Sequence, residues 1–354
     1  MVQTFVLFFL PFFLLSFLDI CKSHKQNYEL IYFLSIIYVL FFSSLLVEYS
    51  GDFVNYKDSF INVNSWNEYL AGSTIKGYAF EPGFLAIYFF VKNLITQDAH
   101  KGITIITLLA GGGLLYFIPK YTRYVFIALL VYIAHFYWWL GIVLLRQICA
   151  MVILFPLLSL LRENKWKKAA ILIGCAALFH ASALIFYVFL FARKINLFKN
   201  GYRNFILIFL AFLFGYMDII KIVLSFLGGF IPRGDVLIRY ISSTSGRSMN
   251  VLAYVEMLFI LYAALKYRNK LQFVNKYTDI GIEFLIWSLL IGALFYHYEI
   301  GTRFTMYFNF YSYLILLSSF VAVFKRNVLN KSLYICLLGT YMCVFLVRFI
   351  YITL

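Results

Sequence analysis

The chain has 354 residues, of which 64% are hydrophobic and only 13% charged, and its formal net charge is +15. Water-soluble domains carry roughly 25% charged and 45–50% apolar residues, so this composition excludes a soluble enzyme or a nucleic-acid-binding domain. It predicts one all-α polytopic membrane domain over residues 1–354, a transmembrane helical bundle with its lysines and arginines in short cytoplasmic loops.

In chain order, the first apolar run, Val2–Ile20, has no basic leader and no A-x-A cleavage site, so it reads as a retained anchor. A crossing helix needs about 20 mainly apolar residues. By that measure the spans are 3–20, 29–47, 102–119, 124–140, 142–161, 204–226, 250–265, 279–297, 304–324 and 333–353, about ten in all. The 250–265 run is short and contains Glu256. Two segments fit less simply. Residues 84–95 make a helix of only about 18 Å and contain Lys92. Residues 169–191 are long enough to cross but carry His180 and Ser182 at their middle.

Loop charge bears on both segments. Basic clusters stand at Lys22/Lys25, Lys120/Arg123, Arg162–Lys168, Arg193–Arg203, Lys266–Lys276 and Lys325–Lys331. All fall on the cytoplasmic side if 169–191 is re-entrant, two half-helices turning at His180, and 84–95 is a re-entrant or interfacial piece of the outer face. The alternative is a plain crossing that breaks the charge rule locally. In the re-entrant topology both termini face outward, as do an acidic loop over 48–80 and a polar loop over 227–249. The first carries Glu48, Asp52, Asp58 and Glu68, and the second Arg233, Arg239 and Arg247. The five cysteines show no C-x-x-C spacing, so neither a disulfide framework nor a zinc site is expected.

The polar residues inside this apolar chain are the candidates for chemistry. In Tyr78–Phe84 (YAFEPGF), Pro82 suits the first position of a helix, which puts Glu81 at the N-cap. Its carboxylate either offsets the helix dipole or deprotonates a sugar hydroxyl at the mouth of the bundle. Arg146, next to Gln147, lies where an ionisable group costs on the order of 2.5–3.5 kcal/mol. It either snorkels to the interface or binds phosphate oxygens through its planar fork. Arg303 heads a late span and stands four residues after Glu299, a spacing that also suits a salt bridge. His180 is either a core histidine or a catalytic one. The run Gly111-Gly112-Gly113 lies within a span and suits close helix packing.

Together these pieces resemble the EpsG family of bacterial exopolysaccharide proteins, which is related in role to Wzy-type O-antigen and capsule polymerases. The matching residues are Asp52/Tyr56/Phe60, Glu81-Pro82-Gly83-Phe84, Leu145-Arg146-Gln147 with Ala150, Phe179-His180 with Ser182-Ala183-Leu184, and Arg303-Phe304 with Tyr307-Phe308. Trp138-Trp139-Leu140-Gly141 departs from the more polar approach expected before Leu145.

The resemblance implies a GT-C-like polymerase in the bacterial cytoplasmic (inner) membrane, a glycosyltransferase that is inverting and works without metal or other cofactor. Its donor would be an oligosaccharide linked to undecaprenyl diphosphate, and its products O-antigen, capsule or exopolysaccharide. Arg146 and Arg303 would then hold the diphosphate. Glu81 is the first choice of base, followed by Asp52 and His180, with Gln147, Tyr56, Tyr307 and Ser182 in support. A flippase and a chain-length regulator are the implied assembly partners, and nucleic acid is not. A membrane O-acyltransferase and a lipid-linked oligosaccharide flippase are the alternatives.

Overall fold

A computed structural model describes residues 2–21, 25–62, 80–197, 201–219, 221–222, 251–324 and 327–353. All regular structure among them is helical. The helices gather into two compact units, Met1–Leu184 with Leu317–Leu354, and Ile185–Leu316.

The first unit contains α1 (Val2–Ser16), α2 (Lys25–Leu46), α3 (Phe53–Asn62), α4 (Pro82–Leu94), α5 (Ala99–Tyr121), α6 (Val125–Val131), α7 (Leu145–Leu154), α8 (Leu157–Arg162) and α9 (Trp166–Ala177). The second contains α10 (Ile185–Lys194), α11 (Gly201–Tyr216), α12 (Val251–Lys266), α13 (Arg268–Val274), α14 (Thr278–Leu294) and most of α15 (Glu299–Ser319). Helix α16 (Val328–Thr353) returns to the first unit.

Among the described residues, five stretches are long and apolar enough to cross a membrane: Asn27–Tyr49, Ala99–Tyr121, Leu145–Arg162, Ile300–Phe324 and Val328–Val347. Phe8–Asp19, Pro82–Leu94, Val125–Phe136 and Arg203–Tyr216 are apolar but shorter. The five long stretches correspond to the expected spans 29–47, 102–119, 142–161, 304–324 and 333–353, while other apolar runs are shorter or interrupted helices. The 124–140 run is the plainest example: α6 passes into π-helical turns over Tyr132–Phe136 and Trp139–Val143 before breaking at Leu144. The bulky Trp138-Trp139 run is part of this widened helix, and a Cβ at Gly141 would lie 2.9 Å from the Tyr137 ring. The acidic loop also begins as structure, since apolar Phe53, Tyr56 and Phe60 recur on one buried face of α3. The rest of that loop (63–79) and the whole 227–249 loop lie outside the described residues.

Interrupted helices leave backbone groups at their ends that need other partners. Charged side chains do this work in the first unit. Lys92 on α4 donates to the carbonyls of Phe60 and Ile61 at 2.9 and 2.7 Å, closing the C-terminus of α3. That explains a lysine in so short an apolar helix. Asp19 accepts from the Ile127 N–H at 2.7 Å at the start of α6 and from the Tyr28 hydroxyl. The second unit is knit by aromatic packing of Phe186, Phe189, Phe284, Trp287 and Phe308, with Tyr307 fully buried beside them.

Helices α11 and α14 approach so closely that a Cβ on Gly215 would stand 1.8 Å from the Ala293 carbonyl oxygen. A Cβ on Gly112, in the predicted glycine packing run, would meet only the Leu40 side chain at 3.6 Å. Gly215→Ala should therefore destabilise the purified protein by about 1–3 kcal/mol or more through overpacking. Gly112→Ala should be neutral or slightly stabilising, by up to about 1 kcal/mol. Thermal melts in detergent compare them, and equal melting points would contradict the packing.

Candidate functional site

The site is built where three segments of the first unit meet. Helix α4 starts at Pro82, whose missing N–H is not needed there, and Glu81 is its N-cap residue by backbone conformation. Its carboxylate does not cap α4; it turns outward from its own helix. Oε2 accepts from Arg146 Nη1 at 2.8 Å, and Oε1 lies 3.1 Å from His180 Nδ1 and accepts from the Ala181 N–H at 3.0 Å. One carboxylate thus ties together residues 65 and 99 positions away.

Each partner arrives at a break. Arg146 stands in the first turn of α7, directly after the π-helical stretch ends at Leu144. Its charge therefore sits at the positive end of its own helix dipole, a position that favours anions. His180 lies between the end of α9 at Ala177 and the short 3₁₀ turn Ala181–Leu184. The chain breaks where the re-entrant reading of 169–191, one of the two alternatives, puts its turn.

The break is held by the residues around Glu81. The Gly83 N–H donates to the Leu178 carbonyl at 2.7 Å, and a Cβ on Gly83 would come within 2.7 Å of that oxygen. Glycine at 83 is what lets α4 dock there. Behind it, Phe84 is fully buried and packs on Tyr56 and Tyr88 with ring centroids 5.9 and 4.7 Å apart. The Arg146 guanidinium lies over the Phe80 ring at 4.6 Å and is hydrogen-bonded to the Tyr56 phenol. Such stacking suits a weakly hydrated guanidinium in an apolar setting. Arg146 Nε and the Tyr88 hydroxyl are buried without a hydrogen-bond partner.

Electrostatics follow from this arrangement. Burial opposes ionisation of Glu81, but the His180 hydrogen bond, the Arg146 charge and the Ala181 N–H outweigh it and bring the carboxyl down to about 2. The side chains of Glu81, His180 and Arg146 remain 11%, 13% and 22% exposed, so the cluster is enclosed but reachable.

Of the residues expected from the sequence, Glu81, Arg146, His180 and Tyr56 come into direct contact. Asp52 lies one turn ahead of Tyr56 on the same segment and acts on its phenol electrostatically. Gln147 is buried beside Arg146 on α7, and Ser182 sits in the 3₁₀ turn after His180. Arg303 and Tyr307 belong to the second unit, where Arg303 is half-buried near the start of α15 and Tyr307 is a core aromatic. The Glu299 side chain lies outside the described residues, so the expected Glu299–Arg303 pair does too. Phe80 and Tyr88 were missed by sequence reasoning. For Tyr88 the available signal was its spacing of four from Phe84 along α4, which places the two on one helix face, whereas Phe80 precedes the helix and left no such mark.

A family model, the EpsG family, matches residues 29–354. The chain belongs to the EpsG family. No curated protein and no solved structure gives a significant match. The match covers nearly the whole chain, so it takes in Glu81, Arg146 and His180 together with the apolar helices that make this EpsG-family chain a membrane protein.

Folding lowers the Glu81 pKa, so its contribution to stability is complete above pH 4.5 and is lost as pH falls toward 2. At neutral pH it amounts to about 3 kcal/mol, from about 1.4 kcal/mol per unit. Wild type should thus melt above Glu81→Gln at neutral pH, with the gap narrowing below pH 4.5. A gap that stays constant from neutral to acid would show that Glu81 is not held as a paired carboxylate. Gly83→Ala should cost about 1–3 kcal/mol by forcing α4 off Leu178, read in the same melts.

Proposed function

We propose that this EpsG-family chain is a polysaccharide repeat-unit polymerase of the bacterial cytoplasmic membrane. It transfers a growing glycan from undecaprenyl diphosphate to the next lipid-linked unit on the outer face. The observation that carries this reading is the single carboxylate shared by Arg146 and His180. It brings a fixed guanidinium and an oriented imidazole side by side, which are the two groups a displacement at an anomeric carbon needs.

In that displacement the acceptor hydroxyl oxygen bonds to the anomeric carbon while the bond from that carbon to the diphosphate oxygen breaks. The electron pair leaves with the lipid diphosphate, and the hydroxyl proton must be taken up. A carboxyl held near 2, with both oxygens engaged, is a weak base. The base role therefore passes from Glu81 to His180, and Glu81 becomes a positioning residue. With Nδ1 turned to the carboxylate, Nε2 is the nitrogen that acts on the hydroxyl.

Arg146 is suited to the leaving group. It lies at a helix N-terminus, where oriented N–H groups favour anions, and its buried Nε lacks an acceptor. Fixed donors of this kind stabilise developing charge without a metal ion. The family resemblance also marks Arg303 for the diphosphate, an assignment tested on its own.

Polymer length in cells and in reactions with synthetic lipid-linked units tests the reading. His180→Asn should lower turnover by about 10²–10⁴ and Arg146→Ala by about 10²–10³. Both should remain membrane-inserted and yield single-repeat lipid products. Full-length polymer from either would remove that residue from the mechanism, and Arg303→Ala is read the same way. Loss of the chain should leave lipid-linked units outside the membrane. Accumulation inside would favour a flippase instead.

A further inference from the structure

Helix α13 in the second unit carries a surface that the proposed reaction does not use. This short helix is fixed on one side only. Leu271 is fully buried beneath it, and Arg268 and Gln272 are tied to Asp279 at the start of α14 by contacts of 2.7 and 2.8 Å. The buried Asn275 side chain accepts from the Tyr277 N–H at 2.9 Å and closes the turn into α14. The orientation of α13 is therefore set by its inner face.

The outer face is of a different character. Phe273 is 93% exposed, more than any other large hydrophobic residue among those described. Around it in sequence stand Lys266, Lys270 and Lys276, all exposed and none paired with a carboxylate among the described residues. Each lysine instead lies over a tyrosine ring: Lys266 and Lys270 over Tyr267 at 5.6 and 5.4 Å, and Lys276 over Tyr277 at 5.3 Å. A solvated loop gains nothing from displaying a whole phenyl ring, whereas an amphipathic segment at a bilayer surface does. Lysines and tyrosines are also the side chains that settle at headgroup level.

We infer that α13 is an interfacial anchor: Phe273 inserts at the headgroup–acyl boundary, and the three lysines bind anionic phospholipid headgroups. The chemistry fits an anionic lipid surface better than a protein partner. The cations are spread around one apolar point, with no second apolar residue on that face of α13 to form a buried patch. In an anionic leaflet each such lysine strengthens attachment by about fivefold. The inference does not depend on the polymerase reading, and its test involves no glycan.

The full-length protein is placed in nanodiscs of phosphatidylcholine, alone or with about one-third phosphatidylglycerol, and amide hydrogen exchange is followed over 266–276. Exchange should slow by at least about fivefold with the anionic lipid. Combining Lys266→Gln, Lys270→Gln and Lys276→Gln should abolish the difference, and Phe273→Ser should reduce it. Equal exchange of the wild-type segment in the two lipids would overturn the proposal, and that comparison needs no variant to fold.

Discussion

Everything at the site depends on the Glu81 carboxylate having three donors at once. An ion taken out of water costs several kcal/mol even after its surroundings relax, and a cation at a helix N-terminus adds repulsion from the dipole. Arg146 incurs both penalties, and Glu81 incurs the first. Each is tolerable because the other lies 2.8 Å away, and because the Phe80 ring, Tyr56 and the Ala181 N–H supply the remaining contacts. The pair acts as one object with little net charge that an apolar bundle can hold. Removing either charge leaves the other without its counter-ion. Glu81→Gln does so while keeping the side chain's size and hydrogen-bonding capacity, which makes it more informative than deletion of the whole side chain.

The other charges of the bundle follow a simpler rule. Lys92 lies at the C-terminus of α3, Asp19 at the N-terminus of α6, and Arg193 in the last turn of α10, each at the dipole end that attracts it. Lys92 and Asp19 complete broken helices, and Arg193 pairs with Glu283 at 3.1 Å. Among these four Arg146 alone stands against its dipole. That arrangement makes sense when the end of α7 is meant to meet negative charge, supplied by Glu81 in the free protein and available to an anionic group that approaches from the exposed side.

The sequence made the class of protein and the parts of the site legible, because they rest on local chemistry. Pro82 places a helix start, His180 sits where an apolar run breaks, and Arg146 is costly wherever apolar residues surround it. What joins those parts was not legible, since hydrogen bonds from Glu81 to residues 146, 180 and 181 leave no periodic mark. The continuity of the helices was illegible for a related reason. Hydropathy registers apolar content, and it is blind to the π-helical turns at Tyr132–Phe136 and Trp139–Val143.

The break at His180 shows how such a site is made affordable. Ending α9 at Ala177 and restarting at Ala181 frees backbone groups that cost free energy when left without partners away from water. The tripeptide Glu81-Pro82-Gly83 takes up two of them, the Ala181 N–H on the carboxylate and the Leu178 carbonyl on the Gly83 N–H. Pro82 starts its helix without needing a donor of its own, and Gly83 admits the close approach. The motif and the break are therefore two halves of one joint, each supplying hydrogen-bond partners to the other. Because the joint fixes backbone on both sides of His180, the imidazole is delivered to the carboxylate by main-chain geometry, and its orientation survives rotamer freedom elsewhere in the chain.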